Sequence, residues 1–580
     1  MSKISKEFIS KALSELNRYK GDKEHLNQRV RENDFWYKAR YSKIINPSSG
    51  ETSPATAFIF SAIETKYADA IDSFPMCNII EREPSDVDLS KILSKIVPVQ
   101  LDLSDFKKAY KANWRRKLKH GTGIYGVFYD DDIVIKSISI LNVYCDMHVN
   151  DVQDSQFLFI VNAIDNEILK SDYPKFSDKF SGSATVETFD GTHEAKDKTE
   201  IVDCYYKKGG KVHCMKLCAN EVIEATEDGD YPDGLYRHGK YPVVFDTLYP
   251  EEDCPFGFGI IDIAKNPQMY IDKLDSAIIK NSILASKLRY MITDNGGINE
   301  NELIDYSNDV IHVAGALNND NVKELRVSPL SNEVTTHRNK KIDELKEIIG
   351  NRDFQQGGTN GGVTAASAIT VLQEAGNKLS RTMIDDAYDS YKQICTMVIE
   401  LMREFYDEKK VYRITNDNGE AEFSEFSSDM MFKQKQHTDD IPDELRDILP
   451  ETWSDTEPIE LDVSVVPQKK NPFQREANNQ TVMSLWSAGF FNPDTADMAI
   501  IALQAMNFDG RDKIISLIRE YQEKIQQAQM PQPMASGDDE LIPIEQGVNE
   551  ASMQLQSDED DELIPIEQGV KEAQNNGDFT

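Results

Sequence analysis

The sequence has no apolar run long enough to span a membrane. A membrane-crossing helix needs about 20 consecutive apolar residues, whereas the richest short stretch runs only from Met498 to Met506 and includes Gln504. The N-terminal residues also lack the apolar core of a secretory signal. We therefore expect no membrane span, and a chain that stays in the cytoplasm in which it is made.

Cysteine is scarce and scattered. The 580-residue chain has 7 cysteines, an odd number, and none of them forms a Cys-x-x-Cys pair. This usage favours reduced thiols packed among other side chains over a disulfide framework. Zinc binding by Cys204, His213, Cys214 and Cys218 is an alternative, but their spacing on an alternating strand pattern fits no standard zinc site.

Positive charge is in short supply. The chain has 64 Lys and Arg residues against 100 Asp and Glu residues, which gives a net charge of -36. Such an acidic surface repels phosphates, so it disfavours a tight nucleic-acid binder of the usual basic kind and favours solubility or a self-repelling channel. Any nucleic acid is expected to be held loosely. The hydrophobic fraction of 39% still provides for substantial cores.

The sequence lacks the common catalytic motifs. No Gly-x-x-x-x-Gly-Lys-Ser/Thr, Gly-x-Ser-x-Gly or His-Glu-x-x-His occurs, and the 9 histidines are scattered. Gly121 to Gly126 matches Gly-x-Gly-x-x-Gly, but a helical pattern precedes it and a strand pattern follows, which indicates a turn and not a dinucleotide site. Asp130 to Asp132 could bind a cation, although an exposed acidic turn fits them better. We expect no catalytic residue, cofactor or metal.

The N-terminal part has mainly helical patterns. One helix is predicted to about Arg40, and a second from the Ser53-Pro54 capping signal to Ser73, with Pro75 closing it. A third, from about Ser104 to His120, carries the strongest basic cluster of the chain. The cluster consists of Lys107, Lys108, Lys111, Arg115, Arg116, Lys117 and Lys119. Contact with phosphate is one interpretation; we favour a solvated face that neutralises acidic neighbours in the same protomer or an adjacent one.

A β-rich region follows the basic helix. Turn residues separate four apolar runs, which are Tyr125–Tyr129, Ile133–Ile135, Ile138–Leu141 and Phe157–Val161. After a polar insertion, a hairpin is predicted from Ile201 to Ile223 with its turn at Gly209-Gly210, and one more strand at Tyr241 to Phe245. These patterns indicate a β-containing body.

Two helices are predicted to flank a small β module. Asn266-Pro267 is an N-cap followed by a first-turn proline, and it opens a helix to about Met291. A second helix spans about Asn332 to Ile349, with Gly350 as its C-cap. Between the helices, Asp309 to Val313 and Val322 to Val327 have the composition of short strands.

A glycine-rich loop and a long helix come next. The loop from Phe354 to Thr364 contains four glycines and several polar side chains. From Ala368 to Phe405, apolar residues recur every three or four positions, which predicts one helical stripe about 40 residues long. A long packed helix and a coiled-coil seam are both compatible with this stripe.

The C-terminal part changes from helical to acidic. A polar stretch from about Tyr412 to Asp455 precedes helical patterns from Asn471 to about Gln529. Residues 531–580 contain 13 acidic residues and one lysine, and the segment Asp538–Val548 returns unchanged at Asp560–Val570. We predict a disordered acidic tail with a duplicated short linear motif, DDELIPIEQGV; a duplication without a partner is equally compatible.

Three segments carry a likeness to a known family. The first is Trp114–Tyr129, continued by Ile140–Asp146 and Asp151–Ser155; the second runs from His238 through Gly257-Phe-Gly to Pro267; the third is Thr364–Lys378. In this order, with a helix, β module and helix between the second and third, the chain resembles the portal, or head-to-tail connector, proteins of tailed bacteriophages. The resemblance covers about residues 30–410.

The resemblance implies an α+β, mainly helical protomer with long stem and wing helices, in a ring that is typically a dodecamer at one capsid vertex. It also implies a division of the chain. The parts are an N-terminal wing with a β body (1–266), stem helices (267–291 and 332–350), a clip with a small β module (292–331), a tunnel loop (351–366), a long wing helix with the wing segment after it (367–470), a crown-like helical region (471–530) and the acidic tail (531–580).

The implied function is not enzymatic. Such a ring is a conduit for packaging and ejection of double-stranded DNA, and it docks the large subunit of terminase and later the adaptor or tail proteins. The major capsid or scaffold protein is a further implied partner, and the implied location is the virion, after assembly in the host cytoplasm. Two alternatives stay open: another virion structural protein, such as an adaptor or scaffold, and a nucleotide-using DNA enzyme.

A conduit must pass DNA of every sequence, so base readout would be harmful and strong phosphate pairing would stall movement. The polar loop is suited to weak contact, and its candidate residues are Phe354, Gln355, Gln356, Asn360 and Thr364. An ordinary flexible hinge is the alternative for this loop. Sparse positive charge along the bore could come from the stem lysines Lys280, Lys287, Lys340 and Lys341, which could equally be ordinary surface lysines.

Overall fold

The computed structural model of the chain describes residues 4–40, 55–180, 182–189, 191–229, 231–286, 290–292, 322–324, 330–350, 378–415, 421–434 and 456–469, with a few residues between 483 and 519. The chain divides into two compact units, Met1–Asn471 and Pro472–Thr580. The first unit contains both helices and strands, which confirms the α+β class.

The first unit has the following α-helices: α1, Lys6–Tyr37; α2, Phe58–Asp72; α3, Val87–Leu103; α4, Phe106–His120; α5, Asn166–Asp172; α6, Ile260–Ser286; α7, Asn332–Ile349; and α8, Lys378–Phe405. Its strands are β1, Ser73–Glu81; β2, Thr122–Asp130; β3, Asp132–Ile138; β4, Val143–Tyr144; β5, Phe157–Asp165; β6, Ala184–Thr188; β7, Gly191–Ala195; β8, Lys198–Lys208; β9, Lys211–Cys218; β10, Glu221–Ala225; β11, Val243–Thr247; β12, Tyr249–Glu251; β13, Cys254–Phe258; β14, Tyr290–Ile292; β15, Val322–Glu324; β16, Lys410–Thr415; β17, Ala421–Phe426; β18, Phe432–Gln434; β19, Thr456–Pro458; and β20, Leu461–Lys469.

The N-terminal helices follow local sequence signals with one correction. Ser5 caps α1, since its side chain accepts a hydrogen bond from the Phe8 amide at 3.2 Å. The second helix begins at Phe58 and not at the Ser53-Pro54 signal, because residues 55–57 are not helical. Ser53 and Pro54 themselves lie outside the described residues.

A long ladder between β1 and β20 was missed by the sequence analysis. Pro75 was predicted only to close a helix, but it lies inside β1 and faces Pro467 of β20 in an antiparallel pair. A proline fits here because the ladder has only these two strands, which leaves an open edge for a residue without an amide hydrogen. The partners lie at opposite ends of the unit's sequence, so no local pattern indicates their pairing.

The β body consists of two antiparallel sheets. One has the order β11-β2-β3 and the other the order β10-β9-β8-β5-β4. The hairpin between β8 and β9 turns at Gly209 and Gly210, whose φ angles of 60° and 79° are those of a type I′ turn, as predicted. The predicted strand at Ile138–Leu141 is wrong, since β3 ends at Ile138 and residues 140–142 form a 3-10 turn.

The helices α6 and α7 pair with each other and lead into a small β ladder. The predicted start of α6 at Asn266-Pro267 is wrong: the helix begins at Ile260, because Ile260, Ile261 and Ala264 are buried in the core and extend it beyond the proline. Its predicted end at Met291 is also wrong, since β14, which pairs with β15, includes that residue. The start, end and C-cap of α7 are confirmed, with Gly350 at φ 71°.

The long helix α8 crosses the core of the first unit. Its stripe from Met383 through Tyr391 and Val398 to Met402 is buried, as the periodicity predicts; the part of the predicted helix before Lys378 lies outside the described residues. The stretch after Tyr412, predicted only as polar, instead begins with the β16–β17 hairpin. Tyr412 is buried within that hairpin, where its hydroxyl donates to Gln100 Oε1 at 2.9 Å.

The described residues of the second unit are helical, as predicted for this region. Among them, Leu485, Ile500, Leu503, Ile515 and Ile518 form a buried apolar cluster. The tail with the duplicated motif lies outside the described residues.

All seven cysteines are described and are free thiols. The three cysteines of the zinc alternative lie in different clusters: Cys204 packs with one apolar cluster, Cys214 against a second and Cys218 with a third. Within the described residues, no group of three or more His, Cys, Asp or Glu side chains could hold a metal ion. No described helix is long and apolar enough to cross a membrane.

Candidate functional site

The helical hairpin formed by α6 and α7 is the main candidate functional element, because its outer half is not packed in the core. The last buried residue of α6 is Asp275, and none of residues 276–286, all of which the structure describes, is buried. In the same way, no residue from Asn332 to Glu344 of α7 is buried. The half of the hairpin next to β14 and β15 is therefore held by its own two helices and not by the core.

Two polar contacts join the helices. Arg338 of α7 makes a two-pronged ion pair with Asp275 of α6, with 3.1 Å between Nη2 and Oδ2. The carboxylate of Asp275 raises the pKa of Arg338, so this guanidinium stays charged. Further out, the amide of Leu330 donates to Asn281 Oδ1 at 3.2 Å. The bidentate pair fixes the register of the two helices.

A third contact ties α6 to the body. Asp272 Oδ1 accepts hydrogen bonds from the amide of Thr56 at 3.1 Å and from its hydroxyl at 2.6 Å. Gln268, one turn earlier on α6, donates to the same carboxylate at 3.2 Å. Asp272 and Gln268 are both buried, so the base of α6 is held by a desolvated polar cluster.

The end of α7 is anchored by a buried lysine. Lys66 of α2 is 2% exposed, and its Nζ donates to the carbonyl of Gly350 at 3.1 Å. A cation at this position stabilises the negative end of the helix dipole. Burial lowers the pKa of Lys66, and Asp69 partly opposes that shift. The last residue before the glycine-rich segment is thus held to the body.

The other side of that segment is anchored through α8. Ser390 of α8 donates to Asp246 Oδ1 at 3.3 Å, and the same carboxylate pairs with Lys117 of α4. Lys117 and Asp246 are both buried; burial raises the pKa of Asp246 and the lysine opposes the rise. No local sequence pattern indicates the contact among Ser390, Asp246 and Lys117, because the three residues come from distant elements. The segment 351–377 therefore runs between two body-anchored helices.

The structure places the four candidate stem lysines differently. Lys280 and Lys340 are exposed on α6 and α7. Lys341 is half-buried and pairs with Glu344 of its own helix at 2.6 Å. Lys287 lies outside the described residues, as do the five candidate loop residues Phe354, Gln355, Gln356, Asn360 and Thr364. Their assignment to a bore and a tunnel loop stays a prediction.

The basic cluster on α4 neutralises acidic residues of the same chain. Besides the pair with Asp246, Arg115 pairs with Glu64 at 3.2 Å and Lys119 with Asp34 at 3.1 Å. A further pair joins Lys107 and Asp102 at 2.8 Å, while Arg116 donates to Ser137 and to the Ile138 carbonyl. These contacts agree with the interpretation that the cluster neutralises acidic residues, but the face is not wholly solvated as predicted, because Lys117 is buried. Lys108 and Lys111 are exposed.

The glycines after α4 allow close approach of neighbouring backbone segments. Gly121 ends the helix with φ 92°, and a Cβ on it would lie 2.4 Å from the Gly257 carbonyl oxygen. Gly123 and Gly126 lie within β2. The order of helix, glycine and strand agrees with the interpretation as a turn. A larger side chain at Gly121 would clash with backbone atoms.

Asp132, the last residue of the acidic turn, has internal partners. Its carboxylate accepts from the Tyr406 hydroxyl and from Gln100 Nε2 at 3.3 Å, and Lys410 Nζ lies 3.3 Å away. The side chain of Asp132 therefore links β3 to the chain just after α8. Asp130 and Asp131 are exposed, as predicted for the acidic turn, whereas the carboxylate of Asp132 is engaged by protein groups.

A cleft of about 780 Å³ lies between the two sheets of the body. Its charged lining is mixed, and it includes Arg116, Asp130, Lys136, Asp203, Lys216 and Glu224. Several of these groups already have protein partners; Lys216, for example, lies 3.0 Å from Glu224.

The comparisons with known proteins identify the family. A family model described as phage P22-like portal protein matches residues 69–564. The match includes the β body, α6, α7, α8 and the second unit as far as residue 564, five residues into the second copy of the duplicated motif. No curated protein matches the chain. The extent of the family match shows that the chain belongs to the phage P22-like portal protein family.

Proposed function

We propose that this member of the phage P22-like portal protein family assembles into a ring, a dodecamer, that occupies one capsid vertex and conducts double-stranded DNA. In this proposal the ring serves both packaging and ejection. It docks the large subunit of terminase during packaging and adaptor or tail proteins afterwards, and it contacts the major capsid or scaffold protein at the vertex of the virion.

The observation that carries this proposal is the α6–α7 hairpin. Its first helix leaves large apolar side chains in water: Tyr270 is 55% exposed, Ile279 45% and Ile283 49%. Exposed apolar side chains grouped on one element are typical of an interaction site. In a ring, neighbouring hairpins bury these side chains and together form a cylindrical stem.

The proposed parts follow the chain. The two sheets of the body and α1 to α5 form the wing, and α8 with the strands after it completes the wing. The hairpin α6–α7 forms the stem, with its first helix beginning at Ile260 and not at Pro267. The clip lies around β14 and β15, the tunnel loop at 351–366, and the crown in the second unit.

The charge of the chain supports loose passage of DNA. The net charge of -36 leaves an acidic average surface, which does not hold phosphates. Several residues of the strongest basic cluster form ion pairs with acidic residues of the same chain, as Lys117, Arg115 and Lys119 do. In the proposed ring, a bore wall with few cations available to phosphates allows the duplex to move.

Particle images and native mass measurement of the purified full-length chain test the ring. We expect annular particles with a central opening and a mass that is a whole multiple of the protomer. Compact monomers under assembly-permitting conditions would contradict the proposal. ATP hydrolysis by the isolated chain would instead favour a nucleotide-using DNA enzyme, and oligomers without an opening would favour another virion structural protein.

The loop is tested by deletion within the ring. Removal of Gly357 to Gly362 is expected to leave rings intact and to impair packaging or retention of DNA, because the shortened segment still joins its two anchors but reaches less far. Packaged DNA per particle is the measurement, and a deletion of equal length in the tail, at residues 549–554, is the control. Loss of rings would indicate a folding role for the loop.

A further inference from the structure

One wall of the cleft between the two sheets of the body carries a carboxylate with an unpartnered oxygen. Asp203 of β8 lies directly opposite Ile160 of β5 and Lys216 of β9 in the antiparallel ladders. Residues that face each other across a ladder lie on the same side of the sheet, and all three of these residues line the cleft. Within the described part of the chain, Asp203 Oδ1 is buried and has no hydrogen-bond partner.

The lysine opposite Asp203 is engaged by other groups. Lys216 Nζ donates to Glu224 Oε2 and to the Tyr173 hydroxyl, each at 3.0 Å. Glu224 belongs to β10, which lies on the side of β9 away from β8. Burial raises the pKa of Asp203, Lys216 opposes the rise and Glu224 adds to it. Because the pKa still rises, the lysine does not fully offset the cost of burying this carboxylate.

Two further cations line the cleft, and both belong to the opposite side. Arg116 of α4 donates to Ser137 Oγ at 2.6 Å and to the Ile138 carbonyl at 2.8 Å. Lys136 is exposed on β3, in the other sheet. A buried polar group that is left unpaired is unfavourable, and folded proteins leave few such groups. An orphaned carboxylate oxygen in a cleft therefore indicates that a ligand supplies the missing donor.

Aromatic rings form another part of the cleft wall. Tyr129, Tyr231 and Tyr236 line the cleft. They surround the ring of Phe405 at the end of α8, with ring centres 4.0, 6.1 and 6.4 Å from it, respectively. Tyr231 is 41% exposed, so solvent reaches this wall. The packing around Phe405 holds the three tyrosines in fixed positions, as a preformed binding surface requires.

Tyr205 connects the carboxylate with the aromatic wall. It follows Asp203 by two residues on β8, so both side chains lie on the cleft face, about 7 Å apart along the strand. Burial raises the pKa of Tyr205, and the nearby Cys214, Asp203 and Tyr236 raise it further. Because such electrostatic effects weaken with distance, Tyr205 lies close to both Asp203 and Tyr236. The cleft thus offers an anion followed by a series of tyrosine rings.

We propose that this cleft binds an alkylammonium group, which donates a hydrogen bond to Asp203 Oδ1 and places its alkyl chain against the tyrosine rings. A carboxylate together with aromatic faces is the combination that recognises organic cations. Within the described residues no three side chains could hold a metal ion, which favours an organic cation. The volume of about 780 Å³ is that of a small-molecule site. The group belongs either to a free amine or to a lysine of a protein segment, and the site does not depend on the proposed ring.

Calorimetric titration of the full-length chain with n-butylammonium chloride tests the site. Sodium chloride keeps the ionic strength constant, because a net charge of -36 attracts any cation. Asp203→Asn keeps the shape of the side chain but removes its charge, and it should weaken binding about tenfold. Tyr231→Ala, at a partly exposed ring that the fold can lose, should weaken binding about threefold. Asp172→Asn, at an exposed position of α5, is the control and should bind like the wild type.

Thermal unfolding without ligand separates a binding site from a structural role. A neutral amide costs less to bury than an unpaired carboxylate, so Asp203→Asn should melt at the same temperature as the wild type or a few degrees higher. A lower melting temperature would show that contacts of the folded chain already satisfy Asp203, and it would overturn the inference.

The capped amino acid Nα-acetyl-lysine methylamide distinguishes the two sources of the ammonium group. Tighter binding than that of n-butylammonium supports a lysine of a protein segment, because the amides of the probe then meet Asn142 and Asn162 of the cleft lining. Binding that is no tighter supports a free amine. Equal binding of the amines to the wild type and Asp203→Asn, or no binding by either probe at tens of millimolar, would overturn this inference and leave the proposed ring standing.

Discussion

The helix α4 and the hairpin α6–α7 both carry several lysines, but the two sets differ in burial and in their acidic partners. On α4 the cations meet acidic residues of the same chain, and Lys117 is fully buried against Asp246. On α6, Lys273 and Lys280 are exposed. A basic helix in the sequence therefore does not by itself indicate a binding surface. The tertiary structure decides which of its cations are buried against acidic partners and which lie at the surface.

Breaking the buried pair should have the largest effect on stability. Lys117→Ala leaves the Asp246 carboxylate buried without its cation and should lower the free energy of unfolding by about 3–5 kcal/mol. Denaturant titration is the measurement. The control is Lys111→Ala on the exposed side of the same helix, which should change the free energy by less than about 0.5 kcal/mol. Equal effects of the two variants would show that burial against Asp246 does not set Lys117 apart from the exposed lysines of α4.

Loss of the hairpin ion pair should have a smaller and local effect. Arg338→Ala removes the two-pronged contact between the partly exposed Arg338 and Asp275, and should cost about 1 kcal/mol of local stability. Amide hydrogen exchange in residues 276–286 should then speed up about fivefold while exchange in the β body stays unchanged. The matched control is Lys341→Ala, whose partner Glu344 is on its own helix. Faster exchange throughout the body would show that the hairpin is not an independent element.

A histidine in the body should make stability depend on pH. His238 Nδ1 accepts from the Lys240 amide at 3.0 Å, and burial lowers its pKa to about 4. Between pH 6.5 and 4 the unfolded chain binds this proton and the folded chain does not, so the free energy of unfolding falls as the pH falls. His238→Asn should abolish this loss, which is at most about 2 kcal/mol at pH 5. Matching pH profiles of the wild type and variant would contradict it, with the exposed His148→Asn as control.

Removal of the acidic tail should have the smallest effect. Residues 531–580 carry 13 acidic residues and one lysine, and such a composition offers little apolar surface to bury. Truncation after Met530 should leave the melting temperature unchanged within error. A fall of several degrees would show that the tail packs on the folded units, because about 1 kcal/mol of stability corresponds to a few degrees.

The sequence predicted those parts of the fold whose signals are local. The periodicity of Met383, Tyr391 and Val398 indicated the core face of α8, and Gly350 marked the end of α7. Prediction from local signals was wrong where packing in the core opposed them. Asn266-Pro267 has the form of a helix start, but α6 begins six residues earlier, at the buried Ile260. The family resemblance was carried by the order of three segments, and the match over residues 69–564 supports it.

The candidate site was predictable only in outline. The sequence indicated two helices around a small β module and pointed to their lysines. It gave no sign of the polar cluster of Asp272 with Thr56, or of Lys66 on the Gly350 carbonyl. Those contacts join residues more than 200 positions apart, with separations of 216 and 284. Pairing at such distances depends on the folded arrangement of the body.

By itself the sequence determined the helical faces, the tight β8–β9 turn and the acidic balance of the chain, because spacing, glycine conformation and charge are properties of neighbouring residues or of simple composition. Only the tertiary structure decided that β1 pairs with β20, that Lys117 is buried against Asp246 and that Arg338 pairs with Asp275. The physical reason is that burial and pairing are properties of two surfaces brought together, and most of those surfaces come from distant parts of the chain.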